Sequence, residues 1–166
     1  MAAFFVDDED IRLLKSALFR VGTLPGLPHR LELGEPWLVS SRLPPRDGRL
    51  LVLVVAFEED GGTDIRTVHQ KLSEPEELEL RLAGEVIAAP MMLRDFSAWL
   101  DSSSPHSLPV SFSRGAPGAS GAKDDFVGAC LIGLPPTRRN QQPHQLRFVS
   151  PDRKNDWTAT LLVKID

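Results

Sequence analysis

Lys123-Asp124-Asp125-Phe126-Val127-Gly128-Ala129-Cys130-Leu131-Ile132-Gly133-Leu134 is the stretch whose reading decides the fold. Two adjacent carboxylates end a loop of small residues. From Phe126 onward the chain is apolar on both faces, until Pro135-Pro136 closes the run. A strand with one wet face alternates polar and apolar residues, whereas a strand covered on both faces does not. The pattern therefore predicts a buried central strand over 126–134. Cys130 is the only cysteine. Inside an apolar run it reads as a small buried hydrophobe rather than a nucleophile, and it has no partner for an intrachain disulfide.

A second run of the same kind, Leu50 to Phe57, predicts another central strand, rich in β-branched residues. Around these two lie segments that alternate. Leu78, Leu80 and Leu82 point one way and Glu77, Glu79 and Arg81 the other. Trp157, Ala159, Leu161, Val163 and Ile165 share a face opposite Thr158, Thr160 and Lys164. Shorter signals mark strands at Leu31 and Leu33, 36–39, 65–72, 85–89, Leu108 to Phe112, and Leu146 with Phe148. Two segments read as helices. Over 7–21, Asp7 is placed to cap, Asp8, Glu9 and Asp10 oppose the helix dipole, and Ile11, Leu14, Leu18 and Val21 form a stripe ended by Gly22. Over 92–100, Leu93, Phe96 and Leu100 form an apolar face with Trp99 alongside, which reads as core packing.

Fourteen prolines and twelve glycines cut the chain into short segments. About eight to ten strands and two helices are expected, a pattern of antiparallel strands rather than alternating β and α units. The expectation is a mainly β protein: an antiparallel β-sandwich with an N-terminal helix and one short inserted helix. At 166 residues it suits one domain over 1–166, with the sandwich from about residue 30.

The charge balance limits the partners. Acids outnumber bases 23 to 19, and no basic stripe is present, so the phosphate neutralisation that nucleic-acid binding needs is missing. The N-terminus has Phe4-Phe5-Val6 and then acids, without the basic and long apolar regions of a signal peptide. No apolar run approaches the ~20 residues that span a bilayer. A soluble, cytoplasmic protein is the expectation.

Motifs for catalysis are scarce. His29, His69, His106 and His144 show no metal-ligand spacing. The segment 113–123 is glycine-rich, but Asp124 follows its lysine, so it is not a phosphate-cradling loop. There is no Gly-x-Ser-x-Gly nucleophile turn and no tyrosine. Asp124 and Asp125 are open to two readings, a calcium or general-base pair and a turn cap before the strand. Neighbouring side chains on extended backbone point apart, which favours the cap. No cofactor, catalytic residue or metal ligand is expected.

The segment Asp124-Asp125-Phe126-Val127-Gly128 resembles the Asp-Asp-Phe-Ile-Gly segment of C2 domains, where it closes the third calcium-binding loop and opens the next strand. Gly48 to Phe57 is similar to the family's opening strand, 60–64 to the position of its first calcium loop, Leu108 to Ser113 to the strand before the third loop, and Trp157 to Ile165 to its closing strand. The resemblance covers 48–166 and implies a C2-like sandwich. Calcium-binding members carry aspartates where this chain has Ser113, Arg114 and Gly115. Hard cations need several oxygen ligands, and with only Asp60, Asp64, Asp124 and Asp125 left a full calcium site is not expected. The resemblance therefore implies protein recognition rather than calcium-dependent membrane binding. The candidate binding residues are Asp60, Asp64, Arg114, Lys123, Asp124 and Asp125, on the loops 58–64 and 114–125. An exposed sheet edge accepting a partner strand is an equal route. The expected function is a non-catalytic module that binds another protein. One alternative is peripheral membrane binding, against which the few basic residues (Arg114, Lys123, Arg138, Arg139) argue. The other is an enzyme with a dispersed site, which requires His69, His106 or His144 in a pocket beside a carboxylate.

Overall fold

A computed structural model describes residues 1–6, 10–18, 49–58, 64–72, 79–83, 85–100, 106–112, 125–134, 143–150, 153 and 155–162. Its strands are β1 (Ala2–Val6), β2 (Ile11–Ser16), β3 (Arg49–Glu58), β4 (Glu79–Leu82), β5 (Glu85–Ala88), β6 (His106–Phe112), β7 (Asp125–Leu134), β8 (Pro143–Val149) and β9 (Asp156–Leu162). The helices are α1 (Asp64–Lys71) and α2 (Ala89–Trp99). Seven strands form one sheet in the order β2-β1-β3-β7-β6-β4-β5, and β8 and β9 form a separate hairpin. Every pairing is antiparallel, so the mainly β, antiparallel expectation holds.

The two apolar runs lie side by side at the centre of the sheet. β3 and β7 pair from Leu50↔Leu134 to Glu58↔Asp125. Their side chains divide with period two between two cores. Leu51, Leu53, Val55, Phe57, Ala129 and Leu131 face one core, which α1 and α2 cover through Val68, Leu72, Met92, Leu93 and Phe96. Val52, Val54, Cys130, Ile132 and Leu134 face the other, which β8 and β9 cover through Leu146, Phe148, Trp157 and Leu161. Both faces are thus taken from water, which is why neither strand alternates in sequence.

A bulge interrupts this regularity. Ala56 pairs with Gly128 but Phe57 with Phe126, leaving Val127 as the extra residue of β7. The bulge places Val127 in the hairpin-side core while Phe126 stays on the helix side. Phe57 and Phe126, opposite one another, meet edge to face with centroids 5.6 Å apart. Gly128 lies beneath the hairpin, where a Cβ would come within 3.1 Å of the Phe148 Cβ and 3.2 Å of its Cα.

The N-terminal helix expected over 7–21 is not what forms. Residues 11–16 are strand β2, paired with β1 from Val6↔Ile11 to Ala2↔Ser16. The cause of the misreading is a second bulge: Phe4 pairs with Leu13 and Ala3 with Lys15, so Leu14 is extra. An extra residue breaks strict alternation and leaves apolar residues at spacings that imitate a helix. In the sheet Ile11 and Leu13 pack on the helix-side core. The Arg12 guanidinium lies 5.6 Å from the centroid of the Phe5 ring on the other face. Leu18, expected on the helical stripe, is exposed. β1 itself was not expected from sequence. All five of its residues are buried because it lies between β2 and β3.

Residues 65–72, read as a strand, belong instead to α1 and its final turn. Ile65, Val68 and Leu72 recur at i, i+3 and i+7, and Val68 and Leu72 are buried under the helix. Its last turn is closed by the Leu72 N–H, which donates to the Val68 carbonyl at 2.9 Å. α2 forms where a helix was expected. Pro90 sits in its first turn, where no N–H donor is missed. Ala89, Met92, Leu93 and Phe96 are buried at i, i+3, i+4 and i+7. Leu100 follows the helix and packs over Gly133. Trp99 is 66% exposed and stacks on Phe96 at 6.0 Å.

β4 and β8 follow their patterns, whereas in β9 Ala159, expected to face inward with Trp157 and Leu161, is exposed; Glu77, Leu78, Val163, Lys164 and Ile165 lie outside the described residues. In β4, Leu80 is buried and Glu79 and Arg81 are exposed, while Leu146 and Phe148 of β8 are buried. β9 presents Trp157 and Leu161 to the hairpin-side core. The strands expected at Leu31 and Leu33 and over 36–39 lie outside the described residues.

Candidate functional site

The two loops singled out by sequence leave neighbouring strands at one end of the sheet. β3 ends at Glu58, directly opposite Asp125 at the start of β7. Residues 59–63 continue from Glu58 to α1, and residues 113–124 connect β6 to β7. Among the candidate residues, Asp64 is the first of α1 and Asp125 the first of β7. Asp60, Arg114, Lys123 and Asp124 lie outside the described residues. Strand register alone brings the attachment points of both loops together.

A third connection meets them there. The β8–β9 turn is held by backbone bonds from Ser150 N–H to the Asn155 carbonyl and from Arg153 N–H to the Ser150 carbonyl, each 2.9 Å. The buried Ser150 Oγ accepts a further bond from the Asn155 N–H at 2.9 Å. Arg153 takes a positive φ of 62° to complete the turn. So oriented, Asn155 donates through Nδ2 to Glu58 Oε2 at 2.7 Å, tying the hairpin to the end of β3. Sequence reasoning did not assign Asn155 or Ser150 a role. The partner, Glu58, lies 97 residues away on another sheet and leaves no local signal.

Next to this turn the Arg147 guanidinium grips Asp156 with two bonds, 2.9 Å from Nε to Oδ1 and 2.6 Å from Nη2 to Oδ2. Hydrogen bonding to Arg147 holds the Asp156 carboxyl below its usual range and raises the guanidinium in turn. Both side chains are well exposed, so the pair orients the hairpin end more than it stabilises the fold.

His29 lies outside the described residues, and the other three histidines are on three different elements. His69 lies on α1, His106 opens β6, and His144 lies on β8, where burial lowers its pKa. His69 lines a cavity of about 30 Å³ with Met1, Ala17, Leu18, Val55, Phe57, Ile65, Val68 and Leu72. Its Nε2 is buried there without a hydrogen-bond partner among the described residues. At the same cavity the Met1 amine donates to the Ala17 carbonyl at 2.8 Å, and burial lowers its pKa to about 6. None of the lining residues is a carboxylate. A space of this size takes a water molecule, far from the roughly 300 Å³ of a typical ligand pocket. Among the described residues no three of His, Cys, Asp and Glu are grouped to hold a metal ion. Cys130 is buried as expected, and burial raises its thiol pKa to about 11. No helix among the described residues is long and apolar enough to cross a membrane.

Compared with known proteins, the chain matches no family model, no curated protein and no solved structure.

Proposed function

We propose that this protein is a non-catalytic, cytoplasmic interaction module that binds another protein through the loops at the Glu58–Asp125 end of its sheet. The observation that carries the reading is the pairing of Glu58 with Asp125, which sets the two loops on adjacent strand ends. Loops that leave adjacent strand ends are within reach of a common partner, and loops on a rigid scaffold carry recognition more often than the strands beneath them. The Asn155–Glu58 bond brings the end of the hairpin to the same strand end. Residues 58–64 contribute Glu58, Glu59, Asp60 and Asp64 and no base, so the favoured partner is one with a basic patch. The C2-like sandwich form implied by the resemblance belongs to the same proposal. Its support is the packing of Leu146 and Phe148 of the hairpin against the sheet as a second β layer.

The test is affinity capture with the tagged chain, in calcium and in chelator, alongside two variants: Asp60→Lys and the double variant Asp124→Asn with Asp125→Asn. The reading expects one partner recovered near stoichiometrically in both conditions. Both variants should lose it while melting as the parent does. Undiminished capture by both variants would move the contact surface away from these loops. Capture only in calcium, with binding to anionic vesicles, would replace protein recognition by calcium-dependent membrane binding.

A further inference from the structure

We draw no further inference here: the strongest candidate, the outward side of α2 where Met91 and Trp99 are exposed next to the short edge strand β5, is an exposed apolar face, and nothing in the structure shows what covers it.

Discussion

Gly133 tests how α2 is seated on the sheet. A methyl group added there would press on Leu100 Cδ1, 2.5 Å from its Cδ2 and 2.9 Å from its Cγ. Leu100 is itself buried, so it has no open water to swing into. Either its side chain leaves its rotamer or the end of α2 lifts from β7. Overpacking of this kind costs about 1–3 kcal/mol. Replacing glycine by alanine also reduces the freedom of the unfolded chain, which offsets about 0.4–1 kcal/mol of that cost. Gly133→Ala should therefore destabilise by about 1–2 kcal/mol, a fall of about 3–6 °C in melting temperature for a chain of this size. Leu100→Ala alone should cost about 2–3 kcal/mol through the void it leaves. The double variant separates contact from coincidence. With Leu100 shortened, the new methyl enters the void instead of clashing, so the double variant should be more stable than the sum of the singles by about 0.5–1.5 kcal/mol. Urea unfolding of the four proteins, with slopes compared to exclude a changed unfolded state, measures this. Strict additivity, or a Gly133→Ala protein as stable as the parent, would refute the argument that α2 approaches β7 closely because residue 133 lacks a side chain.

Three further outcomes are expected. Phe4→Ala should lower stability by about 3–5 kcal/mol in urea unfolding, because Phe4 is fully buried in an interior strand; a loss under about 1 kcal/mol would contradict the placement of β1. Cys130 should resist thiol reagents in the native protein at neutral pH and react as the fold opens, since burial keeps its thiol protonated up to about pH 11; rapid labelling in native buffer would show that the hairpin does not seal that core. The Asp156 carboxyl should titrate below the usual carboxylate range of about 3.9 when followed by NMR, and Arg147→Gln should bring it back up. The sign follows from linkage. A depressed native pKa gives stabilisation that is present above the unfolded value and is lost as pH falls through the native one. An Asp156 titration unchanged by Arg147→Gln would mean that the ion pair does not persist in solution.

Much of this architecture was legible in the chain. Unbroken apolar runs at 50–57 and 126–134 specify strands covered on both sides. Alternation at 79–82 specifies which residues turn inward, and the i, i+3, i+4, i+7 spacing of Ala89, Met92, Leu93 and Phe96 specifies a helix. These signals are readable because a side chain's direction depends only on its own stretch of backbone. The errors arose where that locality fails. Leu14 is the extra residue of a bulge that exists only because β1 lies alongside β2, and without that neighbour the apolar spacing of 11–18 resembles a helix. Residues 65–72 read as a strand, but the helix wins by burying Val68 and Leu72 in one core. The candidate site divides in the same way. The loop composition and carboxylates of 58–64 and 123–125 stand in the sequence, while the adjacency of the strand ends they join, Glu58 and Asp125, depends on register. Register and the pairing of distant strands are energies of contact between segments far apart along the chain. No local pattern encodes them, and they take definite values only when the two cores close.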